Sequence, residues 1–314
     1  MVKVHILKSF VVLVFLLSFS NGFTQDSNYS SQDISINYVV DGTLLLPNSK
    51  EKPKLTIIIG GSGPTDRNGN QNFLKNNSLK KLAESLSNQG IATFRYDKRV
   101  VKQVRTGNID KNTMFDDFVK DAISVIDYFK KMNAYSKIYV IGHSQGSLVG
   151  MLAGKDRMDG FVSISGAGKS IDSVVIEQVG RTAPQFTEDT KRVFGIMRSG
   201  KTTSDYPPVL YSIFNMEIQP FMMNWMQYDP KEIIKSLNVP ILILNGTKDL
   251  QVGVEEANSL KNASQNAELK IIDNMNHVMF IIDGDDLDNA KSYNESTRPL
   301  SQELVSAIVD FIKL

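Results

Sequence analysis

The stretch Ile138-Tyr-Val-Ile-Gly-His-Ser-Gln-Gly-Ser-Leu-Val-Gly150 decides the fold of this chain. Its first four residues are apolar or favour strands, and a helix-compatible run follows the pentapeptide Gly142-His-Ser-Gln-Gly146. A strand and a helix can join through so sharp a turn only where a Cβ would not collide with its neighbours. The pattern G-x-S-x-G predicts such a turn, with the hydroxyl of Ser144 exposed above a sheet. An ordinary strand-to-helix turn that contains a serine is the simpler alternative.

The regions on both sides of this stretch alternate β-rich runs with amphipathic helical patterns. A hairpin is predicted around Asp41-Gly42, between β-rich runs at 34–40 and 43–46. Other strands are predicted at 55–59, 91–96, 160–165, 240–245 and 268–273, and helices at 74–86, 113–131, 147–153, 254–262 and 300–314. This alternation predicts an α/β fold with a mostly parallel central sheet and helices on both faces.

One domain is predicted over residues 26–314, interrupted by a helical insertion at 169–236. The insertion contains no clear buried strand, and it is rich in methionine and aromatic residues that suit an adaptable apolar surface. We expect it to form a cap over an active site, with Met222, Trp225 and Met226 in a substrate pocket. The alternative is that these side chains pack only the core of the insertion.

The amino terminus has the pattern of a signal peptide at residues 1–24. Lys3 and Lys8 precede a short, strongly apolar run, Phe10–Phe19, and small or polar residues follow it. We expect an exported protein, periplasmic or extracellular, with no stable membrane span after cleavage; a retained anchor is the alternative. A glycan on the Asn245 triplet would crowd a loop assigned below to catalysis, which favours a bacterial source.

The composition is that of an ordinary globular protein and excludes several classes of function. The chain has 314 residues, 41% of them hydrophobic, a net charge of +1 and no cysteine. Nothing in this balance points to nucleic acid, and disulfides and thiolate metal sites are excluded. The acidic loop 283–288 does not provide the glycine at the sixth position and the late glutamate of a calcium loop, so no metal site is predicted. The oligomeric state is not predicted by these features.

A serine nucleophile needs a base, and the chain offers three histidines. A serine hydroxyl is weakly nucleophilic until another group accepts its proton. His5 lies in the predicted signal peptide, and strand alternation turns His143 away from Ser144. His277 directly follows the last predicted strand, at the edge where parallel strands end. We therefore expect His277 to be the general base.

The imidazole in turn needs an acceptor that fixes its tautomer. Asp249 lies on the loop after the penultimate predicted strand, and Asp273 is its rival at the end of the last strand. The chain order Ser144, Asp249, His277 is the order that this architecture requires. These three residues form the predicted catalytic triad.

Two backbone N–H groups are expected to bind the oxyanion. Gln145 follows the nucleophile and supplies one of them. The glycine-rich loop Gly60-Gly-Ser-Gly-Pro-Thr-Asp-Arg-Asn-Gly-Asn70 supplies the other, from Ser62 with Gly61 as the second choice. The loop lacks the spacing of a P-loop or a dinucleotide fingerprint, although a tight turn without chemistry is an alternative.

The chain resembles the α/β-hydrolases, and more narrowly the bacterial esterases and serine aminopeptidase-like serine hydrolases. The resemblance covers nearly everything after residue 31 and is carried by five ordered motifs: Gly61–Asn70, Tyr96-Asp-Lys-Arg99, Gly142-His-Ser-Gln-Gly146, Gly246-Thr-Lys-Asp249 and Asn274-Met-Asn-His277. It implies hydrolysis of small-molecule esters through an acyl-enzyme intermediate, without a cofactor.

The chain departs from that pattern at one loop. Such relatives usually continue the Asp-Lys-Arg motif with Gly-x-Gly-x-Ser, where this chain has Val100-Val-Lys-Gln103. We expect residues 97–111 to form a polar, basic loop, and Asp66 and Arg67 to form an ion pair that holds the oxyanion loop. An aminopeptidase or acylaminoacyl peptidase on the same triad is one alternative function. A catalytically inactive hydrolase-fold binding protein is another.

Overall fold

Eight strands form a single sheet in the computed structural model, which describes residues 28–48 and 52–314. The predicted signal peptide therefore lies outside the described residues. The strands are β1 Tyr29–Ser35, β2 Asp41–Pro47, β3 Leu55–Ile59, β4 Ala92–Tyr96, β5 Ile138–His143, β6 Gly160–Ile164, β7 Ile241–Gly246 and β8 Ala267–Ile272. Their order is β1-β2-β4-β3-β5-β6-β7-β8. Strand β2 is antiparallel to both of its neighbours, and all other pairs are parallel.

Helices cover both faces of the sheet. They are α1 Ser78–Asn88, α2 Arg99–Thr106, α3 Phe115–Met132, α4 Gln145–Gly154, α5 Ile171–Thr182, α6 Thr187–Arg198, α7 Tyr211–Phe214, α8 Gln219–Trp225, α9 Pro230–Lys235, α10 Val254–Ala263, α11 Asp286–Ser292 and α12 Gln302–Lys313. Leu82 and Ile308 belong to the core on one face, and Phe129 and Leu260 belong to the core on the other. Within 28–48 and 52–314, no helix combines the length and apolarity that crossing a bilayer requires.

The strand order creates a crevice between the ends of β3 and β5. From β3 the chain crosses to β4 on one side and then returns to β5 on the other. Ile59 pairs with Gly142, so the carboxyl ends of these two strands are level. Ligands in open α/β sheets bind at such a switch point, outside the carboxyl ends of the strands. The loops after β3 and β5 meet there.

Five helices, α5 to α9, stand between β6 and β7 in the region predicted as a cap. They have a hydrophobic core of their own, in which Val193, Phe194 and Phe214 are fully or almost fully buried. Helix α8 packs against α3, where the rings of Trp225 and Phe115 stack with centroids 5.3 Å apart. These contacts fix the segment beside the ends of β5 and β6.

The hairpin turn predicted at Asp41-Gly42 lies several residues earlier in the chain, so its predicted position was wrong. Both residues belong to β2, and the turn precedes them. The side chain of Asn37 accepts hydrogen bonds from the N–H groups of Val39 and Val40, at 2.9 and 3.0 Å. This local side-chain bonding stabilises a turn before the Asp-Gly pair.

Residues Arg99–Thr106 form helix α2, where a loop was predicted. None of the residues in α2 is buried, and its three valines, Val100, Val101 and Val104, are too few to predict so short a helix from the sequence. Ion pairs stabilise it instead: Arg99 binds Asp121 through two nitrogens at 2.7 Å each, and Lys102 lies 3.0 Å from Asp41. The helix depends on partners that are distant in sequence.

Candidate active site

Ser144 occupies the strained turn between β5 and α4. Its backbone angles are φ 54° and ψ −123°, a region that few non-glycine residues adopt. A Cβ on Gly142 would lie 2.3 Å from the carbonyl oxygen of Gly146, and a Cβ on Gly146 would lie 2.3 Å from that of Ile59. The two glycines are therefore required for the close approach of strand and helix, which leaves the Ser144 side chain partly exposed.

Asp249 and His277 form a buried pair at the ends of β7 and β8. The Nδ1–H of His277 donates to the Asp249 carboxylate, at 2.9 Å to Oδ2 and 3.1 Å to Oδ1. The N–H groups of Gln251 and Val252 also donate to Oδ1, each at 2.9 Å. Burial raises the pKa of Asp249, but the His277 ring and the Val252 N–H outweigh burial and hold that pKa below its usual value. The ionised carboxylate leaves the Nε2 of His277 free to accept a proton.

The loops that carry Asp249 and His277 are bound to each other. The N–H of Lys248 donates to the carbonyl of Met275 at 3.0 Å. A Cβ on Gly246 would lie 1.9 Å from the same carbonyl oxygen, so glycine is required at that position. The two loops thus hold the acid and the imidazole in register. Asp273, the rival acid, is exposed and does not contact His277.

Ser144 and His277 line one cavity of about 250 Å³. Among the described residues, none forms a hydrogen bond with the Ser144 hydroxyl, and this holds for His277 too. Hydrogen bonds between catalytic groups are often long before substrate binds and shorten in the complex. The rest of the wall is largely polar, with side chains from Gln71, Asn76, Ser78, Gln251 and Tyr293.

His143 is buried beside the pair and contacts the backbone of His277. Its Nε2–H donates to the backbone carbonyl of His277 at 2.8 Å. Burial, together with the nearby His277 ring, lowers the pKa of His143 to about 4. The ring is therefore neutral near pH 7 and supports the backbone of His277 rather than accepting a proton from Ser144. Strand alternation predicted that His143 points away from Ser144, but the contact with the His277 carbonyl was not predicted.

The N–H groups of Gln145 and Ser62 are candidates for the oxyanion site. Gln145 is the first residue of α4, where backbone N–H groups have no partner within the helix. The backbone of Gly61 lies against the nucleophile, since a Cβ there would be 3.2 Å from the Ser144 Cβ. Ser62 lines the same cavity as Ser144. The structure thus brings the glycine-rich loop and the start of α4 to the two sides of Ser144.

The ion pair predicted within the oxyanion loop has a different partner. Arg67 binds Asp97 at 2.7 Å, not Asp66. The Oδ1 of Asp66 instead accepts hydrogen bonds from the N–H groups of Asn68 and Asn70, both at 2.8 Å. Asp66 therefore stabilises the turn inside the loop, and Arg67 connects the loop to the end of β4.

Lys98 is a buried cation beside the site, where the sequence had not predicted it. Its Nζ donates to the carbonyl of Gly61 at 3.0 Å and to the Gln145 Oε1 at 2.7 Å, and lies 4.2 Å from the Phe118 ring centroid. Burial lowers the pKa of Lys98 to about 7. A lysine at the end of a buried strand was the available signal, but only the fold brings residues 61, 98 and 145 together.

A second cavity, of about 270 Å³, lies on the other side of Ser144. Ser62 and Gln145 contribute to it, whereas His277 does not. Its remaining wall is mainly apolar and includes Leu148, Ile171, Val174, Val175, Met222 and Trp225. Met222 and Trp225 therefore lie where the sequence predicted a substrate pocket. Met226 does not: its side chain is 9% exposed and packs in the core of the helical segment.

Comparisons with known proteins connect this geometry to hydrolases. Residues 76–208 match the model of the serine aminopeptidase family, a segment that includes Ser144 but neither Asp249 nor His277. The esterase EstD of Thermotoga maritima is 24% identical over 278 residues, an alignment that covers 83% of this chain and 63% of EstD. The chain thus spans less than two thirds of that curated relative.

Solved structures show the same fold. Est1E from Butyrivibrio proteoclasticus is 17% identical with a TM-score of 0.55, and the match covers 90% of this chain and 99% of Est1E. An esterase from Pyrococcus furiosus is 16% identical with a TM-score of 0.54, over 92% of this chain and 91% of that protein. The predicted fold is thus confirmed: the chain is an α/β-hydrolase-fold protein that resembles bacterial esterase-like serine hydrolases.

Proposed function

We propose that this protein hydrolyses carboxylic esters through an acyl-enzyme intermediate. Ser144 is the nucleophile, His277 the general base and Asp249 the group that orients the imidazole. One observation carries the proposal: a buried imidazole, 2.9 Å from a buried carboxylate, shares a cavity with a serine on a strained strand-to-helix turn. The esterase names of the similar proteins support the same activity.

The reaction begins when Ser144 Oγ attacks the ester carbonyl carbon and its proton passes to His277 Nε2. The negative charge that forms on the carbonyl oxygen is received by the N–H groups of Gln145 and Ser62. The intermediate then expels the alcohol, which takes the proton from His277, and leaves an acyl group on Ser144. Water, deprotonated by His277, attacks this acyl group and releases the acid. Asp249 stabilises the imidazolium in both stages.

The two cavities beside Ser144 divide the substrate between them. Because His277 protonates the departing alcohol, that alcohol occupies the cavity of which His277 forms a wall. The acyl chain then occupies the apolar cavity, which Met222 and Trp225 help to enclose. We therefore propose that the natural ester joins an apolar acyl group to a polar, hydroxyl-bearing alcohol.

Replacing Tyr293 with phenylalanine tests the polar cavity. Burial raises the pKa of Tyr293 to about 12, so its hydroxyl keeps a proton that it can donate while it accepts from Gln251 at 3.1 Å. We expect kcat/KM for a glycerol ester to fall about 5- to 10-fold, the value of one hydrogen bond, and kcat/KM for the ethyl ester of the same acid to be unchanged. Tyr211→Phe, at an exposed position, is the control. Equal losses on both esters would contradict the assignment.

An aminopeptidase on the same triad is the second candidate, favoured by the family-model match. Such an enzyme must bind a protonated amine close to the scissile carbonyl. Neither cavity beside Ser144 has an aspartate or glutamate in its described wall, and the glutamates nearest to the apolar one, Glu177 and Glu256, already pair with Lys169. An unpaired ammonium there would be unfavourable.

A matched set of chromogenic substrates separates the two functions. Butyryl and 2-aminobutyryl p-nitroanilides differ only in the amino group. The third substrate, p-nitrophenyl butyrate, has the same butyryl group in an ester. We expect the ester to be hydrolysed fastest, and the butyryl anilide to exceed the 2-aminobutyryl anilide about tenfold or more in kcat/KM. Faster hydrolysis of the 2-aminobutyryl anilide would favour the peptidase, and no hydrolysis of any of the three would contradict both functions.

A further inference from the structure

Lys98 contacts Gln145 and also the Gly61–Ser62 peptide group, which carries the N–H of Ser62; these two residues supply the proposed oxyanion donors. We infer that Lys98 is a positioning residue of the oxyanion site: its ammonium group orients and polarises the Gly61–Ser62 peptide and fixes Gln145. This inference rests on the proposed ester hydrolysis. It is carried by the two hydrogen bonds from Nζ, at 3.0 Å to the Gly61 carbonyl and 2.7 Å to the Gln145 Oε1.

The Gly61 carbonyl and the Ser62 N–H belong to the same planar peptide group, in which they point in opposite directions. Because the Gly61 carbonyl faces Lys98, the N–H of Ser62 points away from Lys98. A hydrogen bond from a cation to a carbonyl also polarises the peptide group and strengthens its N–H as a donor. Lys98 thereby improves the donor that receives the developing negative charge, without contact with the substrate.

The other donor is fixed through a side chain. Gln145 is 6% exposed, and its Oε1 accepts from Lys98 while its backbone N–H is left for the oxyanion. One ammonium group therefore holds the two sides of the oxyanion site at a constant separation. Preorganised donors of this kind stabilise a transition state because they need no rearrangement when the charge appears.

The residues on both sides of Lys98 hold its backbone in place. Asp97 binds Arg67, at 2.7 Å, and Arg99 binds Asp121, at 2.7 Å. Lys98 itself is 6% exposed and forms no ion pair among the described residues. Burying a cation without a counter-ion is unfavourable for folding, and the lowered pKa of Lys98 reflects that burial. The function of Lys98 is thus better explained by the site than by stability.

The variant Lys98→Met tests the inference, because methionine has a similar length and no charge. We expect kcat for p-nitrophenyl butyrate to fall about 10- to 100-fold, somewhat less than the loss of one oxyanion donor, with KM changed by less than about twofold. The affinity for an alkyl boronic acid, which forms an anionic tetrahedral adduct with the serine, should fall by the same factor as kcat. Binding of butyrate, which forms no such adduct, should be unchanged.

Lys102→Met, in the helix that directly follows Lys98, is the control and should keep the wild-type kcat and boronic acid affinity. If Lys98→Met does not fold, as judged by its thermal transition, the same measurements are made on Lys98→Gln, whose side chain is a neutral donor. Wild-type kcat and boronic acid affinity in a folded variant at position 98 would overturn the inference. Equal losses of boronic acid and butyrate affinity would overturn it too, as they would show a general structural defect. If the wild-type protein itself neither hydrolyses esters nor binds the boronic acid, the proposed function fails instead.

Discussion

The variant Ser144→Ala should lose essentially all ester turnover, with kcat lower by about 10⁶-fold, the loss typical when the nucleophile of a triad is removed. Without the hydroxyl no acyl-enzyme can form, and His277 and the oxyanion donors retain only weak catalysis of attack by water. The fold should be unaffected. The hydroxyl has no hydrogen-bond partner among the described residues, and alanine has to adopt the same strained backbone angles as serine.

Turnover of p-nitrophenyl butyrate and labelling by a fluorophosphonate measure this loss together. The wild-type protein should be labelled and Ser144→Ala should not, while circular dichroism and the thermal transition stay the same. Ser199→Ala, in an exposed turn of the helical segment, is the matched control. Undiminished turnover in Ser144→Ala would exclude Ser144 as the nucleophile. A wild-type protein that neither turns over esters nor reacts with the probe would favour the catalytically inactive binding protein.

The variant Asp249→Asn should lower kcat by about 10⁴-fold, with KM little changed. An amide can present its N–H₂ group to His277 Nδ1, which favours the tautomer with the proton on Nε2. That tautomer cannot accept the Ser144 proton, and the imidazolium also loses its stabilising charge. Asp273→Asn, at the exposed rival position, should retain wild-type activity. A wild-type kcat in Asp249→Asn would exclude Asp249 as the orienting acid.

The loss of stability in Asp249→Asn should also depend on pH. The folded-state pKa of Asp249 lies below its usual value, so the ionised carboxylate stabilises the folded state. This contribution is present above the unfolded-state pKa of about 4 and is lost as the pH falls through the folded-state value. In urea unfolding, the free energy of unfolding should therefore be larger for the wild-type protein than for Asp249→Asn at pH 7. The difference should be smaller at pH 3. A difference that stays constant with pH would contradict the paired carboxylate.

Local patterns in the sequence were sufficient to predict the parts of the fold that depend on local contacts. The Gly142 to Gly146 pentapeptide predicted the turn because the glycines are needed by its own strand and helix. The alternation of buried strands and amphipathic helices predicted the parallel sheet, since each such element presents an apolar face. The positions of Asp249 and His277 followed from the rule that strand ends meet at one edge.

Features that depend on distant partners could not be predicted in this way. Helix α2 has no buried residue and is held by Asp121 and Asp41, so the three valines among its eight residues were not enough to predict it. Lys98 falls within the loop predicted at 97–111, yet it is buried against Phe118, Gly61 and Gln145. Met226 was misplaced because a methionine in an amphipathic segment can pack either inward or toward a ligand, and sequence alone does not distinguish the two.

The separate core of the α5–α9 segment has a consequence for how this protein can diversify. The segment helps to enclose the apolar cavity beside Ser144, yet the groups proposed to react lie on the sheet loops outside it. Substitutions in α5 and α8 can therefore reshape the selectivity for the acid part of an ester, while the reactive groups remain on an unaltered scaffold. Directed evolution toward longer or bulkier acids should accumulate its beneficial changes in these two helices.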